Sequence, residues 1–286
     1  MRFHQPPAIY AGSLQLKTTD LARSVHFYRD VVGFQILEQG SNGAKLSADR
    51  KTPILSLIQP VDVMPRPSET TGLYHFALLL PDRSALARFV THLANQGIRF
   101  GASHHLVSEA IYFSDPDGNG IEVYADTVPA TWNWRESGVA MDTIPLDFDD
   151  LLQAAGPDKQ VWKGLPQSTI LGHIHLQVSH LPVAEAFYTA GLGFEVVARY
   201  RGSALFLSSA KYHHHIALNT WNGVGAPRPP KNSAGLDYFT IVFPDGQRLE
   251  EAAGRLGTLG APVTKEGSLF MTEDPAGNAI LLTAGG

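Results

Sequence analysis

Residues Ile111 to Glu122 read IYFSDPDGNGIE, two short runs either side of Asp115-Pro116-Asp117-Gly118. Proline at the second position and glycine at the fourth suit a type I turn, because the ring presets one central residue and glycine tolerates the exit. The stretch therefore predicts a hairpin with Ile111–Ser114 antiparallel to Gly120–Tyr124. Period-two alternation puts Tyr112 and Ser114 on one face of the first strand, and Glu122 and Tyr124 on one face of the second. Glu122 sits between Ile121 and Val123, in a strand that otherwise reads as buried. A carboxylate held out of water needs a cation or a strong hydrogen-bond partner. A glutamate facing solvent from a half-exposed strand is the plainer alternative.

The turn recurs: Asp274–Ile280 is DPAGNAI where Asp115–Ile121 is DPDGNGI. Upstream, Gly72–Asp82 (GLYHFALLLPD) resembles Gly235–Asp245 (GLDYFTIVFPD), and Ser13–Phe34 resembles His173–Phe194. The chain is an internal duplication of two unlike units, giving four modules. Each reads as strand, helix, then two or three strands. Module one runs through Ser13–Lys17, a helix from about Asp20 to Val32, then Phe34–Gln39, Gly43–Ala48 and Ile54–Gln59. Asp20 is its expected N-cap and Gly33 its stop. Module two comprises Tyr74–Leu80, a helix from about Asp82 to Gln96, the stretch around Ile98, and the hairpin. Modules three and four repeat this from His173 and Leu236. Domains are expected at 1–126 and 169–286. Between them, residues 127–168 read as a surface-packed linker holding Trp132, Trp134, a short helix around Asp149–Ala155, and Gly156-Pro157.

A chain of 286 residues is long enough for two cores. Its net charge of −5 and lack of any Lys/Arg cluster argue against nucleic acid as a partner. Without cysteine there are no disulfides or thiolate metal sites, which suits a reducing compartment. The start, MRFHQPPAIYAG, lacks the pattern of a signal peptide, and no apolar run approaches a membrane span, so a cytoplasmic location and no membrane contact are expected. Twelve histidines, several of them clustered, are the one compositional oddity.

A βαβββ module repeated four times resembles the vicinal oxygen chelate superfamily of glyoxalases, bleomycin-resistance proteins and extradiol ring-cleaving dioxygenases. The resemblance covers nearly the whole chain outside the linker. It implies an α+β fold in which the four modules form two cup-shaped, eight-stranded mixed sheets with helices outside, one cup holding a divalent metal. Ligands in the family lie near the start of a module's first strand and on its last strand. The first-strand positions here are Ser13, His75, His173 and Tyr238. The last strands offer Glu122 in module two, Leu281 in module four and about Ile216 in module three. The resemblance thus implies His75, Glu122 and His173 as metal ligands. Two histidines and one carboxylate with open positions form the facial triad of Fe(II) oxygenases, and Mn(II) suits the same donors. Taken singly, either histidine also reads as a core residue bonded to a neighbour.

Extradiol dioxygenases carry His, five to seven residues, an aliphatic, Tyr, two residues, Asp-Pro-x-Gly, then Glu. Here His105, Ile111, Tyr112, Asp115-Pro116-Asp117-Gly118 and Glu122 fall in register, with Ser103 a mild upstream departure. By resemblance, Tyr112 bonds one catecholate oxygen and His105 contacts the other oxygen or the ring-opened intermediate. In module three, Tyr212–Leu218 (YHHHIAL) reads as the last strand, with His213 and His215 on one face and His214 on the other. The family's acid–base histidine maps onto His214, with His213 and His215 as alternatives. His175 is expected to line the substrate pocket.

The implied activity is that of two-domain bacterial catechol 2,3-dioxygenases, with a catechol-type substrate, O2 and Fe(II). A glyoxalase-like lyase or isomerase, which usually uses two carboxylates, and a metal-free drug-sequestering protein are the alternatives. Exposed edge strands leave room for a homo-oligomer. The ligands lie in modules two and three, so those two must share a cup. Pairing within each half would separate His173 from His75 and Glu122.

Overall fold

The computed structural model describes residues 3–156 and 161–285, so Pro157 lies outside the described residues. All four modules are βαβββ. Module one is β1 (Tyr10–Lys17), α1 (Leu21–Phe27), β2 (Gln35–Gln39), β3 (Gly43–Ser47) and β4 (Leu55–Ile58). Module two is β5 (Gly72–Leu79), α2 (Arg83–Asn95), β6 (Gly101–His104), β7 (Ser108–Ser114) and β8 (Gly120–Asp126). The connecting segment holds a two-stranded ribbon, β9 (Trp134–Arg135) and β10 (Gly138–Val139), and α3 (Phe148–Gln153). Module three is β11 (Ile170–Gln177), α4 (Leu181–Ala186), β12 (Glu195–Tyr200), β13 (Ala204–Ser208) and β14 (Ile216–Asn219). Module four is β15 (Gly235–Phe243), α5 (Gly246–Thr258), β16 (Val263–Glu266), β17 (Leu269–Glu273) and β18 (Ala279–Ala284).

The modules pair across the halves. One eight-stranded sheet runs β12-β13-β14-β11-β5-β8-β7-β6, joining modules three and two; the other runs β16-β17-β18-β15-β1-β4-β3-β2, joining four and one. The central seam of the first sheet is antiparallel β5 against β11, with His75 opposite His175. This is the pairing that the ligand positions require.

Within each half the two modules are tied by one recurring device, distinct from the sheets. The Asp115 carboxylate accepts from the backbone N–H groups of Asp117 and Asn119, from the Asn119 amide, and from the Tyr28 hydroxyl at 2.8 Å. In the second half, Asp274 accepts from Ala276, Asn278 and the Tyr188 hydroxyl at 3.0 Å. Each tyrosine belongs to the preceding module, so the two recurring turns link modules one to two and three to four while the sheets link two to three and one to four. The tyrosines reach because α1 and α4 do not continue as regular helices. Each gives way to a π-helical turn, Tyr28–Val32 and Phe187–Gly191, closed by Gly33 N–H to Tyr28 C=O and by Leu192 N–H to Phe187 C=O. The helix expected over Asp20–Val32 is therefore two pieces. Asp20 does cap it, accepting from Arg23 N–H, and Gly33 ends it at φ 97°.

Two further expectations shift. The strand expected around Ile98 begins at Gly101. Ile98 instead closes α2, its N–H bonding Leu93 C=O while Gly97 takes φ 68°, a Schellman stop. The last strand of module three begins at Ile216 rather than Tyr212. Ala210 and Lys211 adopt left-handed backbone, φ 56° and 57°, and turn the chain just before the histidines.

The connecting segment packs onto the surface. Asp147 caps α3, which buries Leu151, and Trp132 is buried with Val139 and Tyr212. Ile144 bridges His104 of β6 through two backbone hydrogen bonds, fixing the chain around Met141–Thr143 beside the first sheet. No helix among the described residues is long and apolar enough to cross a membrane.

Candidate metal and substrate site

Two neighbouring cross-strand rows on the first sheet build the site. One row runs Tyr112–Glu122–Ala77–His173 across β7, β8, β5 and β11. The next runs Gly120–His75–His175–Ala217–Phe206. His75, Glu122 and His173 converge where the rows meet, with one ligand atom of each within 4.8 Å of the others. His75 Nε2 is 3.0 Å and His173 Nε2 3.2 Å from the same Glu122 oxygen, and the two nitrogens are 3.3 Å apart. All three residues are buried.

Two glycines permit this crowding. A Cβ on Gly120 would lie 2.2 Å from Tyr74 C=O, and one on Gly172 would lie 2.1 Å from the Tyr124 hydroxyl. Gly172 thus lets Tyr124 pack against the backbone that carries His173.

Burial pushes the Glu122 carboxyl up, but the His173 and His75 imidazoles outweigh it and hold the group well below the carboxylate range. Burial lowers His173 to about 4 despite Glu122. An anionic oxygen beside a neutral imidazole is the form that binds a divalent cation. The donor set therefore fits such an ion. Nε2 of His173 faces Glu122 and His75, whereas its buried Nδ1 has no hydrogen-bond partner among the described residues.

These groups open on a cavity of about 370 Å³ lined by His75, Tyr112, Glu122, His105, His175 and His214 among others. The His105 ring donates from Nδ1 to Asp142 C=O at 2.9 Å, which leaves Nε2 to accept the Tyr112 O–H at 2.7 Å. Burial, then the Glu122 charge, raises Tyr112 well above the usual phenol value, so it stays a neutral donor. His175 is held by the Asn219 amide at 3.0 Å. His214 lies with its ring 4.0 Å from that of His173, and burial followed by the His173 charge keeps it well below the usual imidazole range. Of the three consecutive histidines only His214 reaches this cavity. His213 and His215 both turn toward Tyr212, and His215 bonds Phe3 C=O at 2.9 Å.

Sequence reading missed the aromatic wall of Tyr74, Tyr200, Phe206 and Trp221, and the contribution of Met141, Asp142 and Thr143 from the connecting segment. Tyr74, 39% exposed in a strand whose other residues are buried, gave no signal in the sequence, because alternation puts it on the face opposite its neighbour His75. The second sheet carries the same row with other residues: Met271–Leu281–Thr240–Ser13. Among the described residues its donors form no cluster that could hold a metal.

The sequence profile of the Glyoxalase/Bleomycin resistance protein/Dioxygenase superfamily matches residues 11–123 and 170–282. The chain belongs to that superfamily. It is 44% identical over 275 residues to a Bacillus subtilis (strain 168) protein named catechol-2,3-dioxygenase, covering 95% of this chain and 96% of that one. It is 28% identical over 163 residues to biphenyl-2,3-diol 1,2-dioxygenase 3 of Rhodococcus globerulus, covering 54% of this chain and 83% of the relative. Among solved structures, glyoxalase I from Zea mays superposes with a TM-score of 0.58 at 16% identity, covering 96% of this chain and 92% of that chain. A candidate dioxygenase from Bacillus subtilis subsp. subtilis strain 168 gives 0.69 at 12% identity, covering 96% and 85%. Both likenesses establish the fold alone.

Proposed function

We propose that this chain is an extradiol dioxygenase that opens the ring of a catechol beside its two hydroxyls, using O2 at Fe(II) held by His75, Glu122 and His173. The observation that carries the reading is the convergence of these buried ligand atoms on the wall of an aromatic-lined cavity that also receives Tyr112, His105 and His214. The 44% identical relative bears the matching name. Mn(II) would satisfy the same donors.

A bound ion of this kind supplies Lewis acidity toward the two catechol oxygens and the redox activity through which O2 reacts. The rest falls to the chain. Tyr74, Phe206 and Trp221 enclose an aromatic ring and exclude water. When a catechol binds, the Tyr112 O–H would turn its one hydrogen from His105 Nε2 to a catechol oxygen and favour the deprotonated form of that oxygen. His214, opposite, accepts a proton from the substrate and returns it later. His175 lines the floor beside His75. The lyase alternative calls for a second carboxylate, and the ligand cluster holds Glu122 alone. A cytoplasmic setting suits a cysteine-free chain.

The test is anaerobic reconstitution with Fe(II), then catechol and air, following oxygen uptake and the yellow ring-opened product. Uptake in step with product, lost in His75→Ala, supports the proposal. A stoichiometrically loaded protein that consumes no oxygen with any catechol refutes it.

A further inference from the structure

His214 begins a line of hydrogen bonds that leaves the cavity. Its Nδ1 is 2.8 Å from Nδ1 of His213, and Nε2 of His213 is 2.9 Å from Asp126 Oδ1. The same oxygen accepts the Tyr212 O–H at 3.1 Å, and the Tyr212 hydroxyl lies 2.7 Å from that of Tyr124. The His213 side chain is fully buried, whereas that of Asp126 is 19% exposed, so the line runs from cavity to surface. The His213 ring is pinned by Tyr212, centroids 4.0 Å apart, and edge-on by Trp132 at 5.2 Å. Three separate segments meet here: the end of β8, the turn before β14, and the connecting segment.

The direction of these bonds follows from what each group can do. A carboxylate only accepts, so Nε2 of His213 carries the hydrogen. A neutral His213 then has its lone pair on Nδ1, and the partner nitrogen on His214 must donate. That leaves Nε2 of His214, which bonds no group among the described residues, bare on a side chain that lines the cavity.

We propose that Asp126 and His213 are positioning residues that hold His214 in its Nδ1–H tautomer and thereby present its Nε2 as a proton acceptor to substrate. The proposal rests on the acid–base role given to His214 above. The proton balance is complete within the line. A proton leaving a catechol hydroxyl bonds to His214 Nε2, the hydrogen on His214 Nδ1 passes to His213 Nδ1, and the positive charge comes to rest on His213 against Asp126. It is thereby kept away from His173, whose ring touches His214. An acid–base group whose tautomer is set by a carboxylate through a hydrogen bond is an established device, and losing the tautomer is costly even where geometry survives.

Long-range proton–nitrogen NMR of the full chain labelled with ¹⁵N-histidine, loaded with Zn(II) as a diamagnetic ion, reads the tautomers directly. Signals are assigned by comparison with His214→Gln. The expected spectrum shows a protonated Nδ1 and bare Nε2 on His214, and the reverse on His213. In His213→Phe the His214 signal should move toward the Nε2–H form, and with Fe(II) kcat should fall about tenfold to a hundredfold with KM little changed. His213→Gln, whose carbonyl oxygen can accept from His214 Nδ1–H, should restore the tautomer and part of kcat. An Nε2–H tautomer on His214 in the unaltered protein, or an unmoved tautomer in His213→Phe, overturns the proposal. Absence of ring cleavage would count against the proposed function alone, because the NMR readout needs no turnover.

Discussion

The Nε2 atoms of His75 and His173 lie 3.3 Å apart although 98 residues separate them in sequence. They stand on the two strands that join module two to module three, so the ligand cluster exists only when the halves of the chain are paired. A bound ion should therefore stabilise that pairing. Fe(II) at a hundredfold excess over its Kd is expected to raise unfolding stability by about 2.7 kcal/mol, and a chelator should remove the gain. In Glu122→Gln the gain should vanish at the same Fe(II) concentration. Thermal or urea unfolding with and without the ion checks this.

Tyr112→Phe removes the hydroxyl that bonds His105 while keeping the ring in place. Ring cleavage should slow by about a hundredfold, the usual scale for a lost proton-transfer or donor group. Fe(II) affinity should stay near that of the unaltered protein, because the hydroxyl is no ligand. Steady-state kinetics beside metal titration separates the two effects.

Asp115 and Asp274 do the same structural work in the two halves, yet only Asp115 closes the hairpin that carries Tyr112 and Glu122. Replacing either by alanine leaves buried donors unpaired and should cost about 2–4 kcal/mol in urea unfolding. Asp115→Ala should also weaken Fe(II) binding, whereas Asp274→Ala should leave it largely intact.

His4 bonds Gly172 C=O at 2.8 Å, and burial lowers it from 6.5 to about 4. Its folded value lies below its unfolded one, so its contribution is complete above pH 6.5 and is lost as pH falls toward about 4. His4→Gln keeps a donor to Gly172 without titrating. Across that window the unaltered protein should lose up to about 3 kcal/mol relative to the variant. Unfolding curves of both at several pH values give the comparison.

Much of this was legible in the sequence where the signal was local. Asp-Pro-Asp-Gly announces its turn through proline and glycine chemistry, and the recurrence at Asp274 exposes the duplication that dictates four modules. Asp20 and Gly33 mark a helix start and stop by rules acting within one turn. Non-local features escaped. The π-helical turn at Tyr28 answers to Asp115, 87 residues away. The strand expected from Tyr212 begins only at Ile216 because two left-handed residues turn the chain just before the histidines, although His214 still points away from His213 and His215 as alternation expects. Trp221 and Asp142 enter the cavity from loops whose course is set by what they pack against. Asp126 meets His213 only through the pairing of β5 with β11, which no window of sequence contains.

The central claim is most directly tested by a crystal structure of the Fe(II)-loaded protein with catechol, grown without oxygen and measured at the iron absorption edge. The expected result is one iron bound by His75, His173 and Glu122 with both catechol oxygens on it and the Tyr112 hydroxyl beside one of them. Iron at another place, or catechol lodged away from these three residues, would contradict the account.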